Sequence, residues 1–194
     1  GYGGDVGYGT FDDTRVTVKG NAKIDVVGVG LQVNKDGYLR ILGGADVKTY
    51  PLETSDTYSA VSEEGFLYVN TGMDGLQPGT NDVKMYGNVG FLDKNYGIDI
   101  NPHKHGSHIS LGLTTPNSKL VGGVLNEFDE SNNNPYHGGL RLYLQNGATW
   151  RNEWLGAERV YPTQGRPNNA NYLYTGSRVE HFIGGKDASS QGIG

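Results

Sequence analysis

Hydrophobic and polar residues alternate along this chain in short runs with a period of two, as they do in half-buried β-strands. Gly or Asn turns separate the runs, which is typical of an all-β protein. The pattern predicts strands at residues 15–18, 23–27, 38–42, 66–69, 83–86, 98–100, 108–113, 140–144, 149–154 and 178–183. Between residues 14 and 183 no stretch keeps the apolar spacing of three and four that a helix needs, because Gly interrupts every candidate. The sequence therefore predicts an all-β fold.

One segment of the chain is repeated. Residues 33–41 read VNKDGYLRI, and residues 61–69 read VSEEGFLYV. Each copy reads as a strand, a polar turn closed by Gly, and a second strand that opens with an aromatic residue; residues 92–100 are a looser third copy. Gly37 and Gly65 would supply the positive φ of a hairpin turn with a bulge. We interpret the copies as stacked β units that are too small to hold a core alone. The alternative is that any two β-hairpins look alike.

The chain has little apolar material for its length, since 35% of its 194 residues are hydrophobic and 32 are Gly. We expect such a chain to gain burial by sharing a core with identical partners. Cys is absent, which excludes a disulfide scaffold and Cys-based zinc sites. The formal net charge of -5 argues against nucleic acid as a partner. No apolar run approaches the ~18 residues that span a membrane, so we expect no membrane insertion.

The character of the sequence changes along the chain, and we divide it into four parts. Residues 126–137 form a polar stretch with little strand potential, and both Trp residues lie beyond it. We predict a linker or entry segment at 1–13, an interwoven β stalk at 14–113, a β-sandwich-like receptor-binding tip at 114–183 and a flexible end at 184–194. The stalk would resemble a triple β-helix or a stack of hairpins in a homotrimer.

His103 and His105 form a His-x-His pair. Residues two apart on a strand point to the same face, so three copies in a parallel homotrimer would surround the axis with imidazoles. Such a ring suits iron, nickel or zinc, which makes a structural iron or other transition metal on the trimer axis a candidate cofactor. One isolated chain offers only two ligands, and the alternative is a solvated loop after Pro102.

The predicted tip combines aromatic rings with amides and Arg, which suits sugar binding. Rings offer flat apolar faces to pyranoses, and amide and guanidinium groups offer fixed partners for hydroxyls. The predicted receptor- or glycan-binding residues are Tyr161, Arg166, Asn168, Asn169, Asn171, Tyr172 and Trp154. The loop between Tyr161 and Tyr172 is the main candidate, because loops vary without disturbing the strands that hold them. For Trp150 and Trp154 the alternative is the core, since alternation along 149–154 puts both on one face.

No catalytic set stands out in the sequence. Neither a Gly-x-Ser-x-Gly nucleophile motif nor a phosphate-binding Gly loop with Lys-Ser or Lys-Thr occurs. Adjacent carboxylates on a strand face opposite ways, so they do not make the pair that a glycosidase needs, although Glu127 and Glu153 could meet in space. We therefore predict a binding protein, with a polysaccharide depolymerase as the runner-up.

The Gly-rich β units, the repeat, His103-x-His105 and the Asn/Tyr-rich end resemble the distal part of bacteriophage tail fibres and tailspikes. That resemblance implies a parallel homotrimer that is made in the host cytoplasm and carried on the virion tail. It also implies attachment to a bacterial surface polysaccharide or an outer-membrane receptor, and some such fibres hold iron in His-x-His rings. A third hypothesis is a monomeric β-sandwich carbohydrate-binding module of a secreted enzyme.

Overall fold

Most strands of this chain pair in parallel with the strands three places away in sequence order, as the computed structural model shows. The structure describes residues 5–6, 14–34, 37–51, 57–63, 65–92, 107–127, 139–156, 160–162, 171–173, 179 and 181–185. Sheet A contains β1 (Asp5–Val6), β4 (Val29–Asn34), β7 (Tyr58–Glu63), β10 (Asn88–Leu92) and β13 (Val124–Glu127). Sheet B contains β2 (Arg15–Val18), β5 (Tyr38–Ile41), β8 (Phe66–Val69), β11 (His108–Leu113), β14 (Leu140–Gln145) and β18 (His181–Gly185). Sheet C contains β3 (Ala22–Val27), β6 (Ala45–Tyr50), β9 (Val83–Tyr86), β12 (Lys119–Val121) and β15 (Thr149–Arg151).

This order of strands describes a parallel β-solenoid. The chain contributes one strand to each sheet in turn, completes a coil, and then adds the next coil in register with the last. Tyr38 of β5 lies opposite Phe66 of β8, which lies opposite His108 of β11. The described residues thus confirm the predicted all-β class.

The two copies of the internal repeat stack on each other, but the hairpins predicted within them are wrong. The two arms of residues 33–41 belong to sheets A and B and do not pair with each other; each pairs in parallel with the matching arm of residues 61–69. Gly65 does not have a positive φ. A Cβ at Gly65 would lie 2.9 Å from Val33 Cγ2 and 3.1 Å from the Gly37 carbonyl oxygen, so Gly serves here to let successive coils approach.

The hydrophobic core lies inside the coils of a single chain. In sheet B, alternate side chains point inward and stack in register as the ladder Leu39, Leu67, Ile109 and Leu140. Each of these four is buried within the chain, as are Leu31 and Val33 of sheet A and Val47 and Met85 of sheet C. The expectation that apolar burial must come between chains is therefore wrong for this core. One coil cannot bury its own apolar face, but the coils stacked on it can.

Most of the described strands beyond residue 113 extend the same three sheets. They are β12 to β15 and β18, where we expected a separate β-sandwich-like fold. Trp150 of β15 continues an inward row of sheet C, next to Leu120 of β12, and its Nε1–H donates to the Gly122 carbonyl oxygen at 3.0 Å. A short antiparallel pair, β16 (Val160–Pro162) and β17 (Asn171–Leu173), follows β15. No helix within the described ranges is long and apolar enough to cross a membrane.

Candidate functional site

The outer face of sheet B carries a row of stacked side chains, which we call the ring row. It runs through Arg15, Tyr38, Phe66 and His108, at matching positions of consecutive coils. The rings of Tyr38 and Phe66 are 4.5 Å apart with an angle of 8° between them, and those of Phe66 and His108 are 5.1 Å apart at 15°. The spacing follows from the ~4.8 Å distance between neighbouring strands, which brings every equivalent side chain into stacking contact. The next position of the row is Gly139, directly before β14. Gly has no side chain, so the row ends there.

A second outward row lies two residues further along each strand and contains two Arg residues. Its members are Thr17, Arg40, Tyr68, Ser110, Arg141 and His181. The Arg40 guanidinium is buried, 4.7 Å from the Tyr38 ring centre and 5.9 Å from that of Tyr68, and its Nε donates to the Met73 carbonyl oxygen at 3.0 Å. Ring faces attract such a cation, which lowers the cost of burying it.

The segment after β8 folds back over sheet B and forms a wall. Ser110 Oγ donates to the Gly75 carbonyl oxygen at 2.7 Å, and the Tyr143 hydroxyl donates to the Leu76 carbonyl oxygen at 2.6 Å. Gly75 has a φ of +72°, and a Cβ there would lie 2.9 Å from the Tyr68 ring, so this close approach needs Gly. Asp74 Oδ1 accepts the Leu76 N–H at 2.9 Å, which fixes the turn at the top of the wall.

A cleft of about 240 Å³ lies between this wall and the outer face of sheet B. We call it the sheet B cleft; its lining residues are Phe66, Tyr68, Asp74, Gly75, Leu76, His108, Ile109, Ser110, Gly139, Arg141 and His181. Its volume is just below the roughly 300–1,000 Å³ of small-molecule pockets, so it suits one sugar-sized unit. Burial raises the pKa of Tyr68 above its ordinary value, so its hydroxyl keeps its proton at neutral pH and can both donate and accept. The cleft thus combines the edges of stacked rings with a few convergent polar groups.

The glycan-binding residues predicted from the sequence lie elsewhere or outside the described residues. Trp154 is half-buried on the outer face of sheet A, where its ring meets Tyr58 edge-on with centres 6.1 Å apart. It follows β15, which ends at Arg151, so Trp150 and Trp154 do not share a strand. Tyr161 pairs with Tyr172 and Pro162 with Asn171 across β16 and β17. Outside the described residues lie Arg166, Asn168, Asn169, His103 and His105, so the predicted metal pair stays a prediction.

The residues of the sheet B cleft were not predicted as a site. The repeat carried a usable signal, because aligning 33–41 with 61–69 places Tyr38 beside Phe66 and Arg40 beside Tyr68. Read as parallel coils, that alignment would have predicted both outward rows. No sequence signal of this kind marks Arg141 or His181, because neither residue lies in the repeated segment.

Within the described part of the chain, no group of three or more His, Asp or Glu side chains is arranged to hold a metal ion. No protein-family model, curated protein or solved structure matches this chain.

Proposed function

We propose that this chain is a receptor-binding part of a bacteriophage tail fibre or tailspike, and that it binds a host surface glycan in the sheet B cleft. The observation that carries the binding proposal is the meeting of ring side chains with a guanidinium, a carboxylate and hydroxyls in one sugar-sized cleft. Sugars need this combination, because a pyranose has apolar C–H faces and a rim of hydroxyls. The phage assignment rests on the resemblance of the sequence to such fibres.

The rigid support of the cleft favours binding. Most of its floor consists of β8, β11 and β14, which are paired on both sides, and its wall is tied down by Ser110, Tyr143 and Arg40. A site that is already in its bound shape loses little conformational freedom when a ligand enters. A cleft this small gives modest affinity, so several copies on one particle would supply avidity.

The proposed assembly is a homotrimer, as in the fibres that the sequence resembles. Because the core lies within one chain, the trimer would form through outer surfaces of the solenoid rather than a shared interior. We expect light scattering after gel filtration to give about three times the chain mass of 20.9 kDa. A stable particle of one chain mass would contradict the fibre proposal and favour a monomeric carbohydrate-binding module.

We expect Phe66→Leu to weaken glycan binding by about tenfold, as losing an anchor worth about 1.4 kcal/mol would. Leu keeps most of the apolar volume but removes the aromatic edge that lines the cleft, so the solenoid should stay folded. The measurement is binding of the whole chain to immobilised lipopolysaccharide and capsule preparations, with circular dichroism to verify folding. The matched control is Tyr86→Leu, which removes a ring from the outer face of sheet C.

Two results would contradict the proposed site. Equal losses of glycan binding in Phe66→Leu and Tyr86→Leu would show that sheet B has no special role in recognition. Binding that survives Phe66→Leu but fails in Trp154→Leu or Tyr172→Leu would return recognition to the surface predicted from the sequence.

Cleavage of the bound polysaccharide is the alternative function. A two-carboxylate hydrolysis needs a second acid beside Asp74, which is the one carboxylate among the described lining residues. Reducing-sugar release from host polysaccharide, lost in Asp74→Asn, would favour this alternative.

A further inference from the structure

Among the residues that the structure describes, positive charge exceeds negative charge around the sheet B cleft. Arg141 lines the cleft and makes no salt bridge to any described residue, and Asp74 is the single described carboxylate in the lining. Arg40 lies directly behind Tyr68, more than nine-tenths buried, and has no carboxylate partner within the described ranges. Its charge is offset by ring faces and one carbonyl oxygen, which reduce its field without cancelling it.

This local charge opposes that of the whole chain. The formal net charge is -5, so the protein as a whole repels polyanions. A buried cation acts through a medium of low dielectric constant, and its field is screened less than that of a surface charge. The cleft is therefore a place where an anionic group is favoured despite the net charge.

We infer that the sheet B cleft selects a sugar that carries a carboxylate, such as a uronic acid unit, with Arg141 as the group that binds the carboxylate. A guanidinium is planar and offers paired N–H donors that match the two carboxylate oxygens. The edge of the Phe66 ring, whose faces are stacked on Tyr38 and His108, would contact the apolar face of the sugar, and the hydroxyls of Tyr68 and Ser110 would bond its hydroxyls. This inference rests on the proposed glycan binding and names the class of glycan.

The test uses the whole chain and matched pairs of oligosaccharides. The probes are oligomers of polygalacturonate and of alginate, each compared with the same oligomer after its carboxyl groups have been reduced to alcohols. We expect the acidic form to bind at least about tenfold more tightly, because a hydrogen bond to a charged group is stronger than one to a neutral hydroxyl. Arg141→Gln should remove most of that difference, and Arg141→Lys should restore part of it. The matched control is Lys119→Gln, which removes one positive charge from sheet C.

The direction in which a second variant changes the binding affinity tests the same charge balance. Asp74→Asn should strengthen binding of the acidic oligosaccharide, because it removes the opposing carboxylate while its Oδ1 still accepts the Leu76 N–H. Equal binding of acidic and reduced forms, unchanged in Arg141→Gln, would overturn the inference and leave glycan binding standing. Binding of neither form, nor of any neutral host polysaccharide, would overturn the inference and the proposed function together. A preference for acid that Lys119→Gln lowers as much as Arg141→Gln would also overturn it.

Discussion

Leu111→Ala should lower the free energy of unfolding by about 2–5 kcal/mol, the range for emptying a well-packed core site. Leu111 is fully buried at the middle of β11, where the parallel register sets it between Val69 and Leu142. Paired strands hold the surrounding backbone, so the cavity can collapse only in part. Urea denaturation followed by circular dichroism measures the loss.

The matched control is Leu76→Ala, which removes the same atoms from a side chain that is 50% exposed. We expect this change to cost about 0.5 kcal/mol or less, as most surface substitutions do. Equal losses in the two variants would contradict an interior at Leu111. A loss in Leu111→Ala that grows as the protein is diluted would show that the core depends on association between chains.

Sequence patterns predicted the strands of sheet B well and those of sheet A poorly. Sheet B alternates large apolar residues with polar or aromatic ones, and that contrast is what a period of two detects. Sheet A contains small residues because neighbouring parts of the coil approach it closely. A Cβ at Gly30 would lie 2.6 Å from Val47 Cγ1, and one at Gly90 would lie 2.8 Å from the Tyr58 ring. The packing that requires Gly at these positions also removes the alternation from the sequence.

The topology could not be predicted because the local signals are the same for two different folds. A hairpin and a corner of a solenoid both read as strand, polar turn and strand. The difference lies in which strand becomes the partner, and packing against residues a full coil away decides this. Gly65 illustrates the point, since the atoms that exclude a side chain there belong to Val33 and Gly37 of the preceding coil.

The candidate site could not be predicted from the sequence for a related reason. Phe66, His108 and Arg141 come from three different coils and meet because equivalent positions stack in register. No sequence motif links these three residues, because they are separated by long and unequal intervals along the chain. The sequence between residues 161 and 172, by contrast, concentrates aromatic and amide residues in one stretch, and such composition is visible without any knowledge of the fold.

Asn70→Ala should cost about 2–4 kcal/mol, since it leaves buried groups without hydrogen-bond partners and places Ala in a left-handed conformation. Asn70 is fully buried at the end of sheet B's β8, with a φ of 49°. Its Nδ2 donates to the carbonyl oxygens of Asn81 at 2.9 Å and of Gly112 at 2.8 Å, and its Oδ1 accepts the Asn81 N–H at 3.2 Å. The Asn70 side chain therefore joins the two ends of the segment at residues 70–81, which includes the cleft wall.

Two further variants separate the causes of this loss. Asn70→Gly relieves the left-handed strain but not the lost hydrogen bonds, so it should remain less stable than the wild-type chain by about 1–3 kcal/mol. Asn146→Ala is the matched control, because Asn146 has a φ of 53° but is exposed, with one Nδ2 bond to the Thr114 carbonyl oxygen. It should cost about 1–2 kcal/mol, mostly from backbone strain. If Asn70→Gly matches the wild type, the buried amide does not hold the wall. If it is destabilised and also binds glycan less tightly, the amide that joins the ends of the segment at residues 70–81 also supports the shape of the cleft.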